Sequence, residues 1–257
     1  MEILGQTNAL HYLAEGMKAR RLSPSLLFVG PDGVGKRRCA FELAKCFACL
    51  ESTDNAPFSR CDRCSACLRV DQNNHSDVLV INRSLQATLL KEKPETQTAI
   101  KIDSIRHLDK FLSLKPMEGQ RRVVIVDEAQ RMTDEAANSL LKLLEEPPNS
   151  AQIVLLALNE HTLPSTILSR CAIVRFRPIP IAILSNWLEK QHAVSEQKAQ
   201  EISERAGGSF AKALLFKDDE SRRWNCPIIH SMNFSSFFPN PTGAKKAAKM
   251  PKPPSRI

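Results

Sequence analysis

A glycine-rich loop constrains the fold of this chain more than any other feature of the sequence. Residues 30–37 read Gly-Pro-Asp-Gly-Val-Gly-Lys-Arg, which matches the phosphate-binding pattern G-x-x-x-x-G-K-[ST] except at its last position. In a complete loop, backbone N–H groups and the lysine hold the phosphates, and the Ser or Thr hydroxyl binds Mg²⁺. Because Arg37 cannot ligate a cation, the sequence predicts the scaffold of a nucleotide hydrolase that lacks one part of its chemistry.

The segments on either side of this loop are of the kind that a phosphate-binding loop requires. Ser25–Val29 is a strand-length apolar run that ends at the loop, and residues 34–50 have helical periodicity. The candidate phosphate-contacting residues are Gly30, Gly33, Gly35 and Lys36. Because Arg37 replaces the hydroxyl, we expect weak or absent ATP binding and no turnover, with an active nucleotide site as the alternative.

Two acidic residues provide a second part of a nucleotide site. Arg122–Val126 has the composition of a buried strand, and Asp127 and Glu128 follow it directly. An acid at the carboxyl end of a parallel strand faces the ligand crevice of an α/β sheet. Asp127 is therefore the candidate for holding Mg²⁺, and Glu128 for polarising an attacking water. Acids after a buried strand also occur as plain surface residues, which remains the alternative.

The remaining periodicity predicts an α/β architecture. Further strands are expected at residues 78–81, 152–157 and 172–176, and helices at residues 102–114 and 133–144. Thr133 is expected to cap the second of these helices, and the prolines at 147 and 148 to end it. Strands that alternate with helices indicate a mostly parallel sheet covered on both faces.

Two prolines mark the start of a second region. After Pro178 and Pro180 the sequence has only helical patterns, at residues 181–191, 196–206 and 209–216. We therefore expect an α/β domain at residues 1–177 and a small helical domain at residues 178–220. Residues 221–257 are rich in proline and basic side chains without a clear period, and they are predicted to be a disordered tail.

Clustered cysteines interrupt the α/β pattern at residues 49–67. Three thiols are spaced Cys-x-x-Cys-x-x-Cys, and a fourth precedes them by eleven intervening residues. Such spacing lets neighbouring sulfurs converge on one tetrahedral zinc ion in a closed structural site. The candidate ligands are Cys49, Cys61, Cys64 and Cys67. Cys46 and His75 are the substitutes for Cys49 at the fourth position, whereas Cys39 is expected to be a packed core thiol.

The charge distribution argues against nucleic-acid binding by residues 1–220. The net charge is +8, but residues 221–257 hold seven of the 36 Lys and Arg side chains and none of the 28 acidic ones. This leaves 29 basic against 28 acidic side chains in residues 1–220, so that part of the chain is nearly neutral. A basic tail on a neutral body does not by itself indicate a DNA-binding surface.

The sequence also bears on the cellular compartment. The N-terminal residues have no basic region followed by an apolar one, so no secretory signal is expected. The longest apolar stretches, such as Ile153–Leu158, have the length of a strand, so no transmembrane helix is expected either. Four of the eight cysteines are clustered with metal-like spacing, which favours a reducing cytoplasm over a disulfide-forming environment.

An arginine stands immediately before the last predicted strand. Arg170, in the sequence Ser169-Arg170-Cys171, is far along the chain from the glycine loop. An arginine supplied in trans to a neighbouring subunit's nucleotide neutralises the charge that builds on the γ-phosphate. Arg170 is a candidate for this role, although an arginine on the surface with no such role is the common case.

The residues quoted so far, taken in order, resemble a known family. The run IVDEAQRMTDEAANSLLKLLEEPPNSAQIVLLALNEHTLPSTILSRC at residues 125–171 is similar to the delta-prime and gamma subunits of bacterial DNA polymerase III clamp loaders, within the AAA+ superfamily. The segments ILGQTNAL and SPSLLFVGPDGVGK near the start, and the four-cysteine insertion after the first predicted helix, are similar to the same family. The resemblance covers residues 3–216 approximately.

This resemblance implies a fold and a set of roles. The fold would be an AAA+ phosphate-loop domain with a parallel sheet and a zinc-module insertion, followed by a small helical lid domain at residues 178–216. The four cysteines would bind a structural zinc ion. Arg170 would be a trans-acting arginine finger directed at ATP on an adjacent gamma-type subunit.

Two departures favour the delta-prime type over the gamma type. The first is Arg37, where a hydrolysing subunit has Thr or Ser. The second is Ala211, which stands at the place of a sensor arginine in the segment Gly208–Leu214. The resemblance then implies a non-hydrolysing subunit that helps load the sliding clamp onto primed DNA during replication. The alternatives are a gamma-like ATPase and a zinc-ribbon protein that binds nucleic acid.

The resemblance also implies partners. These would be the gamma or tau and delta subunits of the loader, with the sliding clamp contacted indirectly and primed DNA bound as part of the complex. The complex serves a polymerase holoenzyme, while this subunit would have no ATPase activity of its own. Residues 221–257 are too short and too rich in proline for the helical collar with which such subunits usually continue.

Overall fold

Five short strands form the centre of the chain. The computed structural model describes residues 3–51, 58–91, 93 and 98–220. The strands are β1 (Ser25–Val29), β2 (Val78–Ile81), β3 (Arg122–Val126), β4 (Ala151–Ala157) and β5 (Ala172–Arg175). All neighbouring strands pair in parallel, in the order β2-β3-β4-β1-β5. The predicted parallel sheet is confirmed, and every predicted strand boundary lies within one residue of the observed one.

The strands are predominantly apolar because the sheet is covered on both faces. Successive side chains of a strand point to opposite faces. Leu26 and Phe28 of β1 accordingly lie in one core cluster, whereas Leu27 and Val29 lie in another. Phe28 packs against Phe176 with 5.1 Å between ring centroids. The two cores therefore lie on opposite faces of one sheet.

Helices that connect the strands cover these faces. They are α1 (Thr7–Lys18), α2 (Lys36–Ala48), α3 (Ser65–Asp71), α4 (Arg83–Leu90), α5 (Ile102–Leu112), α6 (Asp134–Glu145) and α7 (Ser165–Leu168). The helices α1 and α2 pack into the cluster that contains Phe28, and α5 and α6 pack into the cluster that contains Leu27. Short 3₁₀ turns occur at Ala129–Arg131 and Glu160–Thr162.

Local capping explains where several of these helices begin. Thr133 accepts a hydrogen bond from the backbone N–H of Ala136 through its side chain, which confirms it as the N-cap of α6. Asn82 caps α4 in the same way by accepting from the N–H of Leu85. The helices α1, α3, α4 and α7 were not predicted from the sequence. Gln6 precedes α1 without a side-chain cap, so the usual signal for a helix start is missing there.

The C-terminal part of the described chain is helical, as predicted. It consists of α8 (Ile181–His192), α9 (Glu196–Ala206) and α10 (Phe210–Glu220). These helices share a small core of their own, which includes Leu184, Leu188 and Ile202. The division into domains at residue 178 stays a prediction, and the tail at 221–257 lies outside the described residues. Among the described helices, none has both the length and the apolar character that a membrane span requires.

Candidate nucleotide, metal and arginine sites

The glycine loop lies between β1 and α2, as the motif requires. Gly33 has φ of +75°, a conformation that favours glycine, and a Cβ there would clash with the Ser209 hydroxyl. Lys36 is the first residue of α2 and is buried. Its Nζ donates to the carbonyl oxygens of Gly30 at 2.5 Å and Pro31 at 2.7 Å. Burial lowers the pKa of Lys36, while Asp32 and Asp127 oppose that effect. Lys36, which was predicted to contact nucleotide phosphates, is thus hydrogen-bonded to the backbone of its own loop.

Arg37 reaches the first of the two acids. Its Nη1 lies 3.4 Å from Oδ2 of Asp127, and both side chains are about three-quarters buried. The guanidinium also lies over the ring of Phe41, 5.6 Å from the centroid. Burial raises the pKa of Asp127, while the charge on Arg37 opposes that effect. The structure therefore places a permanent positive charge against the carboxylate that was predicted to hold Mg²⁺.

Glu128 is engaged by two further arginines. Its carboxylate accepts from Nε and Nη2 of Arg83, each at 3.0 Å, and from Nε of Arg131 at 3.0 Å. Its backbone is left-handed, with φ of +52°, which is uncommon outside glycine. Sequence reasoning missed both arginines. Arg83 follows β2, the neighbour of β3, so the parallel order of these strands was the signal that could have placed it beside Glu128.

The last helix packs directly on the glycine loop. The backbone N–H of Ala211 donates to the carbonyl oxygen of Gly33 at 3.4 Å. A Cβ on Gly33 would lie 2.8 Å from the Ala211 methyl group. Gln6, which sequence reasoning also missed, donates to the carbonyl oxygens of Val34 at 3.2 Å and Arg177 at 2.7 Å. The loop is therefore enclosed by both the N-terminal segment and the C-terminal helices.

The four predicted cysteine ligands come together. The Sγ atoms of Cys49, Cys61, Cys64 and Cys67 all lie within 4.8 Å of one another. Backbone N–H groups point at three of the sulfurs: Cys61 donates to Cys49, Cys64 to Cys61, and Cys67 to Cys64. Such donors favour the thiolate form, which is the form that binds zinc. A set of four thiols at this spacing fits one tetrahedral metal ion.

The other candidate ligands lie outside this group. His75 is buried, and its Nδ1 accepts from the backbone N–H of Asp77 at 3.0 Å. Cys46 is buried on α2 and is not part of the four-thiol group. Cys39 is fully buried in the sheet core, as predicted for a packed thiol, and burial raises its pKa. The geometry therefore selects Cys49 as the fourth member.

A buried charge cluster joins the cysteine segment to α2, and sequence reasoning missed it. Glu42 of α2 has no exposed side-chain surface and pairs with Arg38, Arg60 and Lys45. The Lys45 ammonium lies 2.5 Å from Oδ1 of Asp62. It also lies 3.3 Å from Oδ2 of Asp71. A fully buried carboxylate is retained only when opposite charges compensate it, so this cluster joins the cysteine segment to α2 by ion pairs.

Arg170 lies at the opposite edge of the sheet from the glycine loop. In the pairing of β5 with β1, Ala172 lies beside Leu26, and Arg175 lies beside Val29. Arg170 lies two residues before Ala172 in the chain, whereas Gly30 lies one residue after Val29. At about 3.3 Å per strand residue, roughly 15 Å or more separates the two positions along the sheet. Arg170 therefore does not reach the glycine loop of its own chain.

The side chain of Arg170 is held by its own chain at this edge. Its Nε and Nη2 donate to Oε1 of Glu145 at 2.9 and 2.5 Å. Its Nη1 donates to the carbonyl oxygen of Thr166 at 2.9 Å and to Oγ of Ser169 at 3.2 Å. Cys171, the next residue, is buried, which raises its pKa to about 12. The arginine projects outward while its neighbour anchors the chain.

Comparison with solved structures supports the same fold. The RuvB Holliday junction branch migration motor of Thermotoga maritima superposes with a TM-score of 0.52 at 16% sequence identity. The match covers 84% of this chain and 61% of that one. At this level of identity the likeness concerns the fold alone. With the parallel sheet, the four-cysteine group and the helical C-terminal part, it establishes the predicted AAA+ fold.

Comparison with known sequences identifies the family. The delta-prime subunit of DNA polymerase III from Bacillus subtilis is 32% identical over 240 residues, which cover 91% of this chain and 68% of that protein. The delta-prime subunit from Pseudomonas aeruginosa is 32% identical, over 84% of this chain and 62% of that protein. The tau subunit from Escherichia coli is 29% identical over 84% of this chain but only 32% of that protein.

The family profile described as "DNA polymerase III, delta subunit" matches residues 5–180. The matched segment contains the glycine loop, both acids, the four clustered cysteines and Arg170. The chain spans about two thirds of the length of its delta-prime relatives and a third of the tau subunit. Because the profile matches most of the chain and the delta-prime relatives match at this identity, the chain belongs to the delta-prime family of DNA polymerase III subunits.

Proposed function

We propose that this chain is a non-hydrolysing clamp-loader subunit that completes the ATPase site of a neighbouring subunit with Arg170. The observation that carries this proposal is the ion pair between Arg37 and Asp127 at 3.4 Å. Hydrolysis of ATP needs Mg²⁺ held between a loop hydroxyl and an acid at this place. Here the acid is paired with a guanidinium, and the hydroxyl is absent.

The position of Arg170 supports the second half of the proposal. The arginine lies at the end of the sheet remote from its own glycine loop, between α7 and β5, and the next residue, Cys171, is buried. A planar guanidinium suits bidentate contact with a phosphate. In the assembled loader, Arg170 would contact the γ-phosphate of ATP bound to an adjacent gamma-type or tau-type subunit. The loader would then open the sliding clamp and place it on primed DNA.

Zinc binding by the four-cysteine group forms part of the proposal. Four thiol ligands leave no open coordination position for a substrate or water, so the metal would be structural. Bound zinc would fix the loop between α2 and α3 in the geometry that the buried charge cluster also supports. It would not supply chemistry to the nucleotide site.

The gamma-like alternative rests on the intact Lys36 after the loop that follows β1, and on the position of both acids directly after β3. ATP turnover by the isolated chain discriminates between the two. We expect phosphate release at background, unchanged by Lys36→Ala. A measurable rate of ATP turnover that Lys36→Ala abolishes would contradict the proposal and favour the gamma-like alternative. The zinc-ribbon alternative predicts salt-sensitive DNA binding by residues 1–220, which the near-neutral charge of that segment argues against.

The role of Arg170 is tested in a reconstituted loader. Arg170→Ala is expected to lower the ATPase rate of the complex without abolishing it, since the other sites keep their own arginines. Arg170→Lys should rescue the rate only in part, because an ammonium lacks the planar fork of a guanidinium. Size-exclusion chromatography with the gamma or tau and delta subunits checks that each variant assembles. An Arg170→Ala loader that assembles and hydrolyses ATP at the unmodified rate would show that Arg170 is not a trans-acting finger.

A further inference from the structure

Nearly all of the hydrogen-bonding capacity of Arg170 is used within its own chain. A guanidinium has five N–H donors. Two of them are directed at Oε1 of Glu145, and Nη1 is directed at the carbonyl oxygen of Thr166 and at Oγ of Ser169. The pair is nevertheless open to solvent, since the side chain of Arg170 is 32% exposed and that of Glu145 is 48% exposed. A ligand approaching this edge therefore meets an arginine that already has an anionic partner.

The fold brings these two residues together from separate elements. Glu145 is the last residue of α6, and the chain then turns through Glu146-Pro147-Pro148 before β4. Arg170 follows α7 and precedes β5. Both residues thus stand at the edge where the parallel strands begin. Their sequence separation of 25 residues makes the contact a product of the sheet topology and not of a single helix.

A carboxylate and a phosphate bind a guanidinium through the same donors. Both present oxygen atoms that accept two N–H groups of the planar fork. A phosphate on a neighbouring subunit can then engage Arg170 fully only if the carboxylate releases some of these donors. The free energy of that exchange depends on how strongly Glu145 holds the arginine.

We propose that Glu145 is a positioning residue that holds Arg170 in a resting orientation and is displaced when a nucleotide phosphate on an adjacent subunit takes its place. This inference rests on the proposed function and deepens it, because it names the group in this chain that regulates the arginine. Removing the negative charge of Glu145 removes a competitor of the phosphate. The neighbouring site then binds ATP more tightly, while the chemical step that Arg170 assists is unchanged.

The test compares Glu145→Gln with Glu146→Gln in the assembled loader. Glu146 is the adjacent, exposed carboxylate, and no side-chain contact with Arg170 is observed for it in the described structure. We expect Glu145→Gln to lower the apparent KM for ATP by about two- to fivefold, with kcat unchanged. This range corresponds to the interaction free energy typical of an exposed ion pair. Glu146→Gln should match the unmodified protein. Glu145→Asp retains the charge and should restore most of the original KM.

A double variant and the free chain complete the experiment. Glu145→Gln combined with Arg170→Ala should behave as Arg170→Ala alone, because Glu145 acts only through the arginine. In the free chain, NMR of the arginine Nε–H groups should show faster solvent exchange at Arg170 in Glu145→Gln but not in Glu146→Gln. Equal KM values for the two glutamine variants, or a lower kcat at unchanged KM in Glu145→Gln, would overturn the inference while leaving the finger role intact. An Arg170→Ala loader with unmodified kinetics would overturn the proposed function, and this inference with it.

Discussion

Arg37 and Asp127 form an ion pair between the start of α2 and the end of β3, with 3.4 Å between Nη1 and Oδ2. The adjacent acid, Glu128, is bound by Arg83 and Arg131. Both carboxylates that could serve a metal ion and an attacking water are therefore paired with arginines of the same chain. The candidate nucleotide site keeps the loop, the lysine and both acids of a hydrolase, while arginines of the same chain pair with those acids.

Arg37→Thr is expected to create Mg²⁺-dependent nucleotide binding. The threonine hydroxyl supplies the missing cation ligand, and loss of the guanidinium frees Asp127. We expect Mg²⁺ to tighten binding of a fluorescent ATP analogue by about tenfold in this variant, which corresponds to ~1.4 kcal/mol. The unmodified chain should bind equally weakly with Mg²⁺ and with EDTA. Turnover should stay at background, because Glu128 remains held by Arg83 and Arg131.

Arg37→Met is the matched control for this experiment. It removes the positive charge but offers no hard oxygen ligand for Mg²⁺. Binding by Arg37→Met should therefore show no dependence on Mg²⁺. If the Thr and Met variants respond alike, loss of the charge alone explains the change, and the cation-site account of Arg37 is wrong.

Glu42→Gln is expected to destabilise the protein strongly. The substitution removes the negative charge at the centre of a cluster of three cations, Arg38, Lys45 and Arg60, and leaves their charges less compensated. Breaking one partner of a buried ion pair costs about 3–5 kcal/mol. Urea denaturation followed by circular dichroism at pH 7 measures the change in the free energy of unfolding.

Glu51→Gln is the control for Glu42→Gln. Glu51 pairs with Arg63, but the Arg63 side chain is 82% exposed and that of Glu51 is 48% exposed, so solvent screens this pair and its loss should change the free energy of unfolding little. Similar unfolding free energies for the two variants would mean that the Glu42 cluster is solvated and does not anchor the cysteine segment.

Features set by residues close in the sequence, such as strands and the cysteine cluster, were predicted correctly. Contacts between residues far apart in the sequence, which arise from the order of the strands, were missed. Apolar runs bounded by turns located the five strands of the described chain, and the spacing of the cysteines located the four-thiol group, because both signals are local. The pairing of Glu128 with Arg83 spans 45 residues and arises because β2 lies beside β3. Burial of Glu42 was also hidden, since a charged residue on an amphipathic helix ordinarily faces water. The segment 52–57 between the cysteines lies outside the described residues.

Metal removal is expected to weaken the cysteine segment without affecting a catalytic step. Protein purified under reducing conditions should contain about one zinc per chain, as expected for a four-thiol structural site. Cys49→Ser should reduce the retained zinc more than Cys46→Ser, because the Cys49 sulfur belongs to the four-thiol group and the Cys46 sulfur does not. Atomic emission spectroscopy after dialysis against a weak chelator measures the retained metal.

The zinc measurements distinguish an error about the metal from an error about its fourth ligand. Zinc content far below one per chain in the unmodified protein would show that the four thiols do not hold zinc. Greater loss from Cys46→Ser than from Cys49→Ser would instead correct the fourth ligand only. Limited proteolysis should show faster cleavage between α2 and α3 after chelation, since bound metal restrains that loop.

Asp77 stabilises the turn that leads into β3. Its side chain is buried and accepts hydrogen bonds from the backbone N–H groups of Met117 at 2.8 Å, Glu118 at 2.8 Å and Gly119 at 2.9 Å. Burial alone would raise the pKa of Asp77, but these three donors and the nearby Arg122 outweigh burial and lower it. The ionised carboxylate is therefore the form that the fold stabilises.

Asp77→Asn should reduce stability in a manner that depends on pH. Near neutral pH the loss should be about 1.5–3 kcal/mol, since the substitution removes the charge from hydrogen bonds to a carboxylate. A carboxyl whose folded-state pKa is depressed contributes stability above its unfolded pKa of about 4 and loses that contribution as the pH falls through the folded value. The difference in unfolding free energy between the unmodified protein and Asp77→Asn should thus be constant from pH 5 to 7 and narrow below pH ~4. Asp109→Asn, at an exposed position on α5, should shift stability little at any pH. A difference for Asp77→Asn that stays constant down to pH 3 would show that the charge on Asp77 is not what stabilises the turn.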